Sequence, residues 1–256
     1  MTVTATAAAP TTAGTLGTLY VYGITPAGVR PPRTPGVAGA AVRLLTEGGL
    51  CAAVSDAPAS VRARRRDLMA HQAVLGELAG QGPVLPMRFA VLTPDAEALR
   101  GQLCTESAHL AAQLDGVRGC VELNVKGAVV PGYFADLVQR DDTLRELARR
   151  TRRHPGYEAN VRLGEALAKG VAREARGAAR EVLARLAPLA VRTAPGPVDD
   201  EQVLSTSFLV PRADEERFRQ AVAAQARDFG DRLALSLTGP LPCYSFVDAP
   251  SAPAGR

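Results

Sequence analysis

Apolar and polar positions alternate through residues 16–23, where Tyr20, Val21 and Tyr22 bring aromatic and β-branched side chains, and this predicts a first strand. A Pro- and Gly-rich stretch over 24–36 ends it. Two short apolar runs, 42–46 and 50–55, flank Glu47-Gly48-Gly49, the pattern of a hairpin with a tight glycine turn. From Ser60, a plausible N-cap, the period becomes helical: Val61, Leu68, Val74, Leu75 and Leu78 share a face as far as Gly80 or Gly82. Residues 84–92 read as extended, with Pro86 fitting only a sheet edge or bulge. Asp95 opens a second helix carrying Leu99, Leu103, Leu110 and Leu114, and 117–126 closes this part of the chain as a strand.

The second half begins with a helix over Phe134, Leu137, Val138, Leu144, Leu147 and Ala148, which ends in a basic run before Pro155-Gly156. The longest helical signal spans 157–188. Its seam of Val161, Gly164, Ala168, Val171, Ala175, Ala178 and Val182 is made of small residues that let a neighbour approach closely. The other side carries the acidic-first pairs Glu158/Arg162, Glu165/Lys169 and Glu181/Arg185. After a loop at 193–202 come a strand at 203–210, a helix at 213–229 and an alternating strand at 232–238. This order predicts an α+β protein of two domains. The first, 16–130, is a ferredoxin-like (split βαβ) layer of sheet and helices, and the second, 131–248, is α+β with long helices. Residues 1–15 and 249–256, rich in Thr, Ala, Pro and Gly, are predicted to be disordered tails.

Composition changes this picture mainly by exclusion. The 256 residues, 46% hydrophobic, suffice for two cores without disulfides or metal. The net charge of +4 is too mild to imply a nucleic-acid protein, and all but Lys126 and Lys169 of the bases are arginines. No apolar run reaches the roughly 18 residues of a membrane span, and the N-terminus lacks the basic and apolar regions of a secretory signal, so a cytoplasmic location is expected. Cys51, Cys104, Cys120 and Cys243 lie far apart and read as reduced core thiols. Phosphate-loop, dinucleotide, nucleophile-elbow and zinc-protease motifs are missing, and His71, His109 and His154 have no ligand spacing with the cysteines. No catalytic residue, cofactor or metal site is therefore assigned. The cluster Arg62-Ala63-Arg64-Arg65-Arg66 reads as a solvated helix start, with a polyanion or acidic partner as the functional alternative. Asp141-Asp142 and Asp199-Asp200-Glu201 read as surface groups.

Three stretches together carry a resemblance: the opening Leu19-Tyr20-Val21-Tyr22-Gly23-Ile24, the central Val84-Leu85-Pro86-Met87-Arg88-Phe89, and the closing Thr238-Gly239-Pro240-Leu241-Pro242-Cys243-Tyr244-Ser245-Phe246-Val247. In this order and separation, over about residues 16–248, the chain resembles the gas vesicle protein GvpF/GvpL family. It departs from the family's usual pattern at Ala90, where a Gly follows Pro-x-Arg-Phe, and at Leu241 and Cys243, which stand for Trp and Pro.

The resemblance implies a non-enzymatic accessory or minor component located at the gas vesicle. Such a component assists assembly by contacting the small hydrophobic shell protein GvpA and other gas vesicle proteins. A soluble partner that covers apolar surface before it enters the wall would limit premature aggregation. Candidate contacts are Tyr22, Pro86, Arg88, Phe89, Gly239, Pro240, Pro242, Tyr244 and Phe246. The competing structural role for the aromatics is to fill a core or to strap one domain to the other. From the residues alone, the other functional reading is a small-ligand-binding regulatory module of ferredoxin-like fold.

Overall fold

The computed structural model describes residues 17–130, 132–198 and 202–248. The expected tails, Leu16 and the acidic Asp199-Asp200-Glu201 lie outside the described residues. The described residues divide into two compact units, one of residues 17–116 with Asp248 and one drawn from residues 117–247.

The first unit runs β1 (Leu19–Pro26), β2 (Arg43–Glu47), β3 (Leu50–Asp56), α1 (Arg65–Ala79), β4 (Leu85–Pro86), β5 (Leu92–Thr93), α2 (Ala96–Thr105) and α3 (Ser107–Gly116). Its antiparallel sheet has the order β2-β3-β1-β4, with β5 also pairing β1. The central β1 is buried over nearly its whole length, so the alternation along it does not mark a solvent-facing side. The β2–β3 hairpin turns through Gly48 and Gly49 at φ 56° and 83°. Two successive left-handed residues match the twist of the flanking strands, and only glycine takes them without steric cost. Pro86 sits on the edge strand β4, where no ladder donor is needed. Gly23 allows that strand close in: a Cβ there would lie 2.9 Å from Leu75 and 3.0 Å from the Leu85 carbonyl oxygen.

Two helix expectations change in this unit. The helix begins at Arg65 rather than Ser60: Arg64 is still extended, at φ −76° and ψ 142°, and the buried stripe starts only at Asp67 and His71. The helix opened by Asp95, whose carboxylate accepts from the Ala98 amide at 2.8 Å, ends at Thr105, and α3 follows after Glu106. Thr105 donates its hydroxyl to the Gly101 carbonyl at 2.8 Å, a local bond that bends a helix end.

The second unit runs β6 (Cys120–Val129), α4 (Tyr133–Arg140), α5 (Asp142–Arg153), α6 (Tyr157–Leu186), β7 (Arg192–Pro195), β8 (Gln202–Pro211), α7 (Glu215–Asp228) and β9 (Leu233–Leu241). Its sheet has the order β7-β8-β6-β9, all antiparallel. Here β6 is the central strand, paired from Cys120–Pro211 to Ala128–Gln202 on one side and with β9 on the other. The strand expected to close a first domain at 130 thus founds the second unit, and the division falls after Gly116. An alternating run shows that a strand exists; the sheet it joins depends on partners some 80 residues away.

Both units have the same strand plan: a strand, a crossover, a hairpin pair, a helix and a last strand beside the first. The second unit, expected only to be α+β, is therefore also ferredoxin-like. The units differ in the first crossover, a Pro/Gly loop with one 3-10 turn in the first and α4–α6 in the second. Asp141 splits the single helix expected across 134–148, because its carboxylate accepts from the Thr143 and Leu144 amides at 2.9 and 3.1 Å and caps α5. The core gathers Leu123 and Val125 of β6, Phe208 of β8, Phe218 of α7, and Ala175, Ala178 and Val182 of α6, with the Phe208 and Phe218 rings 5.0 Å apart. The short β7 escaped the sequence pattern, since its four residues are mostly exposed and end in Pro195.

Only part of the long seam of α6 packs. Val171, Ala175, Ala178 and Val182 are buried, whereas Val161, Gly164 and Ala168 are exposed. Glu158–Arg162 and Glu165–Lys169 pair as expected at 3.2 and 3.6 Å, but Arg185 bonds to Gln225 and Asp228 of α7, both at 3.2 Å. Among the described residues, no helix is long and apolar enough to cross a membrane.

Candidate partner-binding segments

The opening and central motifs meet in the first unit around His71 of α1. The His71 Nε2–H donates to the Met87 carbonyl at 3.0 Å, since a carbonyl can only accept. Nδ1 is then the acceptor for the Tyr20 hydroxyl at 2.9 Å, and that hydroxyl oxygen accepts the Ala90 amide at 3.1 Å. Burial pushes the His71 pKa below its usual value of 6.5, against the smaller upward pull of Met87, and keeps the imidazole neutral in this tautomer. The Phe89 ring packs edge-on against both Tyr20 and His71, at 5.9 Å from each. Residues 87 and 90 are thus held from two sides, and Arg88 between them is exposed.

Tyr22 serves the same unit differently. Its hydroxyl accepts the Val37 amide at 2.8 Å and lies 3.0 Å from Ser55 Oγ, and Gly36 has no side chain because one would collide with that hydroxyl. Desolvation raises the Tyr22 pKa. Tyr22 is fully buried and Pro86 is buried beside it, so both shape this segment from within, whereas Arg88 and the half-buried Phe89 reach solvent.

The closing motif is organised in the second unit around one carboxyl group. Glu122 of β6 is 3% exposed, yet three donors reach it: Ser207 Oγ at 2.9 Å, the Ser245 amide at 2.8 Å and Ser245 Oγ at 2.7 Å. Asn124 Nδ2 donates to Ser207 Oγ at 3.2 Å and extends the network. A buried carboxyl surrounded by donors is stable only while each of them is satisfied. Gly239 and Pro240 belong to β9, which runs three residues past the expected end at 238. Gly239, at φ 139°, passes so close to β6 that a Cβ would lie 2.8 Å from the Glu122 carbonyl oxygen.

Residues 244–246 form a 3-10 turn that buries Phe246 under the Arg192 guanidinium, 5.4 Å from its ring centre. Tyr244 and Pro242 are half-buried and Pro240 is exposed. The carboxyl contacts of the motif run to Glu122, within the same unit, and Phe246 is core. Sequence reasoning missed both polar anchors, His71 and Glu122, because neither stands in a motif and each acquires its partners only through the sheet.

The cysteines are free and unevenly placed: Cys51 and Cys243 are buried, Cys120 is half-buried and Cys104 is exposed, so Cys104 is not the core thiol expected. Burial, with nearby Glu122 second, pushes the Cys243 thiol up to about 12, which leaves it protonated and a poor nucleophile. The same causes push Tyr244 up to about 12. Among the described residues, no group of three or more His, Cys, Asp or Glu is placed to hold a metal ion.

Two antiparallel sheets of one strand plan, each anchoring a motif segment through a buried polar group, define a duplicated α+β protein with ferredoxin-like halves. Residues 18–248 match the model of the family described as gas vesicle synthesis protein GvpL/GvpF, and the chain belongs to that family. It is 36% identical to gas vesicle protein F of Streptomyces sp. strain CB03234 over 246 residues, covering 90% of this chain and 99% of the relative. It is 26% identical to gas vesicle protein F of Haloferax mediterranei, with 90% and 93% covered. The crystal structure of GvpF from Anabaena sp. PCC7120 has the same fold, with a TM-score of 0.76 at 23% identity over 91% of this chain and 98% of that one. That of GvpF from Microcystis aeruginosa gives 0.74 at 22% identity, with 91% and 99% covered.

Proposed function

We propose that this chain assists gas vesicle assembly by binding the shell protein GvpA and limiting its aggregation, acting by contact rather than catalysis, at the gas vesicle in the cytoplasm. The observation that carries the reading is the segment after β4. Met87 and Ala90 are fixed by His71 and Tyr20, and between and beside them Arg88, half of Phe89 and Leu92, 40% exposed, face outward. A backbone held this rigidly presents an apolar and a cationic side chain with little entropy left to lose on binding. Leu68 and Met69, 38% and 57% exposed near the start of α1, add apolar surface in the same unit. In the second unit, Gly239, Pro240, Pro242 and Tyr244 are the corresponding candidates, with Phe246 holding their turn from inside.

The test is a pull-down of GvpA from cells co-expressing it with the full chain, comparing the unsubstituted protein with Arg88→Glu/Leu92→Ser and with Pro240→Ala/Tyr244→Ser. Capture by the unsubstituted chain that falls at least about fivefold in the first variant, with melting unchanged, supports the reading. A loss only in the second variant moves the contact to the closing motif. Absence of capture by the unsubstituted chain overturns direct shell-protein binding.

A further inference from the structure

The exposed half of the α6 seam leads into a groove of about 850 Å³ in the second unit, formed by α6 and the start of β8. Its floor is apolar and shallow, made by Ala172, Ala179, Leu183 and Val203. Its rim is cationic, with Lys169, Arg173, Arg176 and Arg180 spaced four, three and four residues apart along one face of the helix. At 1.5 Å per residue that row is about 16 Å long, three turns. Lys169 and Arg173 are partly neutralised, by Glu165 at 3.6 Å and by Asp141 at 3.4 Å. Arg176 and Arg180 are exposed and make no ion pair or hydrogen bond among the described residues.

We propose that this groove is a docking site for an amphipathic helix of a partner protein, one that lines an apolar stripe with carboxylates. The charge pattern selects this occupant. Carboxylates one turn apart on a helix match cations three and four residues apart on α6, and the alanine floor lets the two axes approach to about 8 Å. A nucleic acid fits less well: Glu165 pairs with Lys169, and Asp141 and Glu174 with Arg173, so continuous phosphates would meet these carboxylates, whereas a helix can place its acids singly opposite Arg176 and Arg180. The site lies on the second unit and shares no residue with the segment after β4, so it stands or falls separately from shell-protein binding there.

The experiment uses the full chain and a fluorescent helical peptide of about 18 residues, with leucines at helical spacing flanked by glutamates. Saturable binding is expected, weakened at least about tenfold in Arg176→Glu/Arg180→Glu. A peptide with lysines in place of the glutamates should reverse this preference and bind the double variant better. Both arginines are exposed on the helix, and far-UV circular dichroism of the variant should be unchanged. Charge reversal at the exposed Arg62 and Arg64 of the other unit should leave binding intact. Equal weakening by Arg62→Glu/Arg64→Glu, equal binding of the lysine peptide by the unsubstituted chain, or no saturable binding overturns the proposal. So does tighter binding of a single-stranded oligonucleotide, or a dimer, seen by light scattering, that Arg176→Glu/Arg180→Glu dissolves.

Discussion

The two units build the same strand plan and stabilise their motif segments with opposite chemistry. In the first, a neutral imidazole relays hydrogen bonds from Tyr20 to Met87 and holds an outward-facing loop. In the second, a carboxyl group that only accepts gathers Ser207 and both donors of Ser245 beneath the closing turn. The first crossovers differ as sharply, a Pro/Gly loop against three helices. The sheet order is the same with either crossover. What makes each unit particular is the polar group buried in it, since such a group is stable only with its own set of partners.

The largest expected effect is in the second unit. Glu122→Gln puts an amide N–H where a donor must be accepted and should cost about 2–3 kcal/mol. Hydrogen exchange followed by mass spectrometry should show faster opening of β6 and β8, with β1 and β3 unchanged. Equal acceleration in both sheets would mean that the units do not unfold independently.

A smaller effect belongs to the first unit and to pH. Because burial holds the folded His71 pKa below 6.5, the unfolded chain binds a proton first as pH falls. The stability due to neutral His71 is complete above about pH 6.5 and declines as pH drops from there towards the lowered folded value. Exchange in β1 and α1 should rise across that window, and His71→Gln should flatten the response. His71 lies in the first unit, so β6 and β8 should not share it.

The smallest effect sharpens the contrast at one residue. Ala90 stands at φ 70°, a left-handed conformation that costs a side chain about 1–2 kcal/mol. Ala90→Gly relieves that strain, loses about 0.5–1 kcal/mol to backbone entropy, and should stabilise the first unit by roughly 0.5 kcal/mol, read as a small rise in its melting temperature. A loss of stability would show that the Ala90 methyl packs against something that outweighs its φ.

Much of the fold was legible in the sequence, and specific residues show why. Gly48-Gly49, Asp95 and the alternation of 232–238 act through their nearest neighbours, so hairpin, cap and strand could be read from local chemistry. Position 90, where the resemblance expects Gly, proves to be left-handed. The split at Asp141 was equally local but hidden, because a helix pattern continues on both sides of the cap. The candidate contacts were legible as motifs, but not as surfaces. Tyr22, Pro86 and Phe246 look like Phe89 and Tyr244 in the sequence, and burial alone separates them.

The sequence by itself determined the type of the longer elements, the α+β class and the family, all properties of local pattern and of motifs in order. The tertiary structure alone decided that β6 begins the second sheet and that His71 and Glu122 are the polar anchors. It also decided that the long α6 seam packs for only half its length. The physical reason is common to these cases: strand partner, buried hydrogen-bond partner and helix neighbour are set by contacts between residues far apart in the chain, and no local periodicity encodes them.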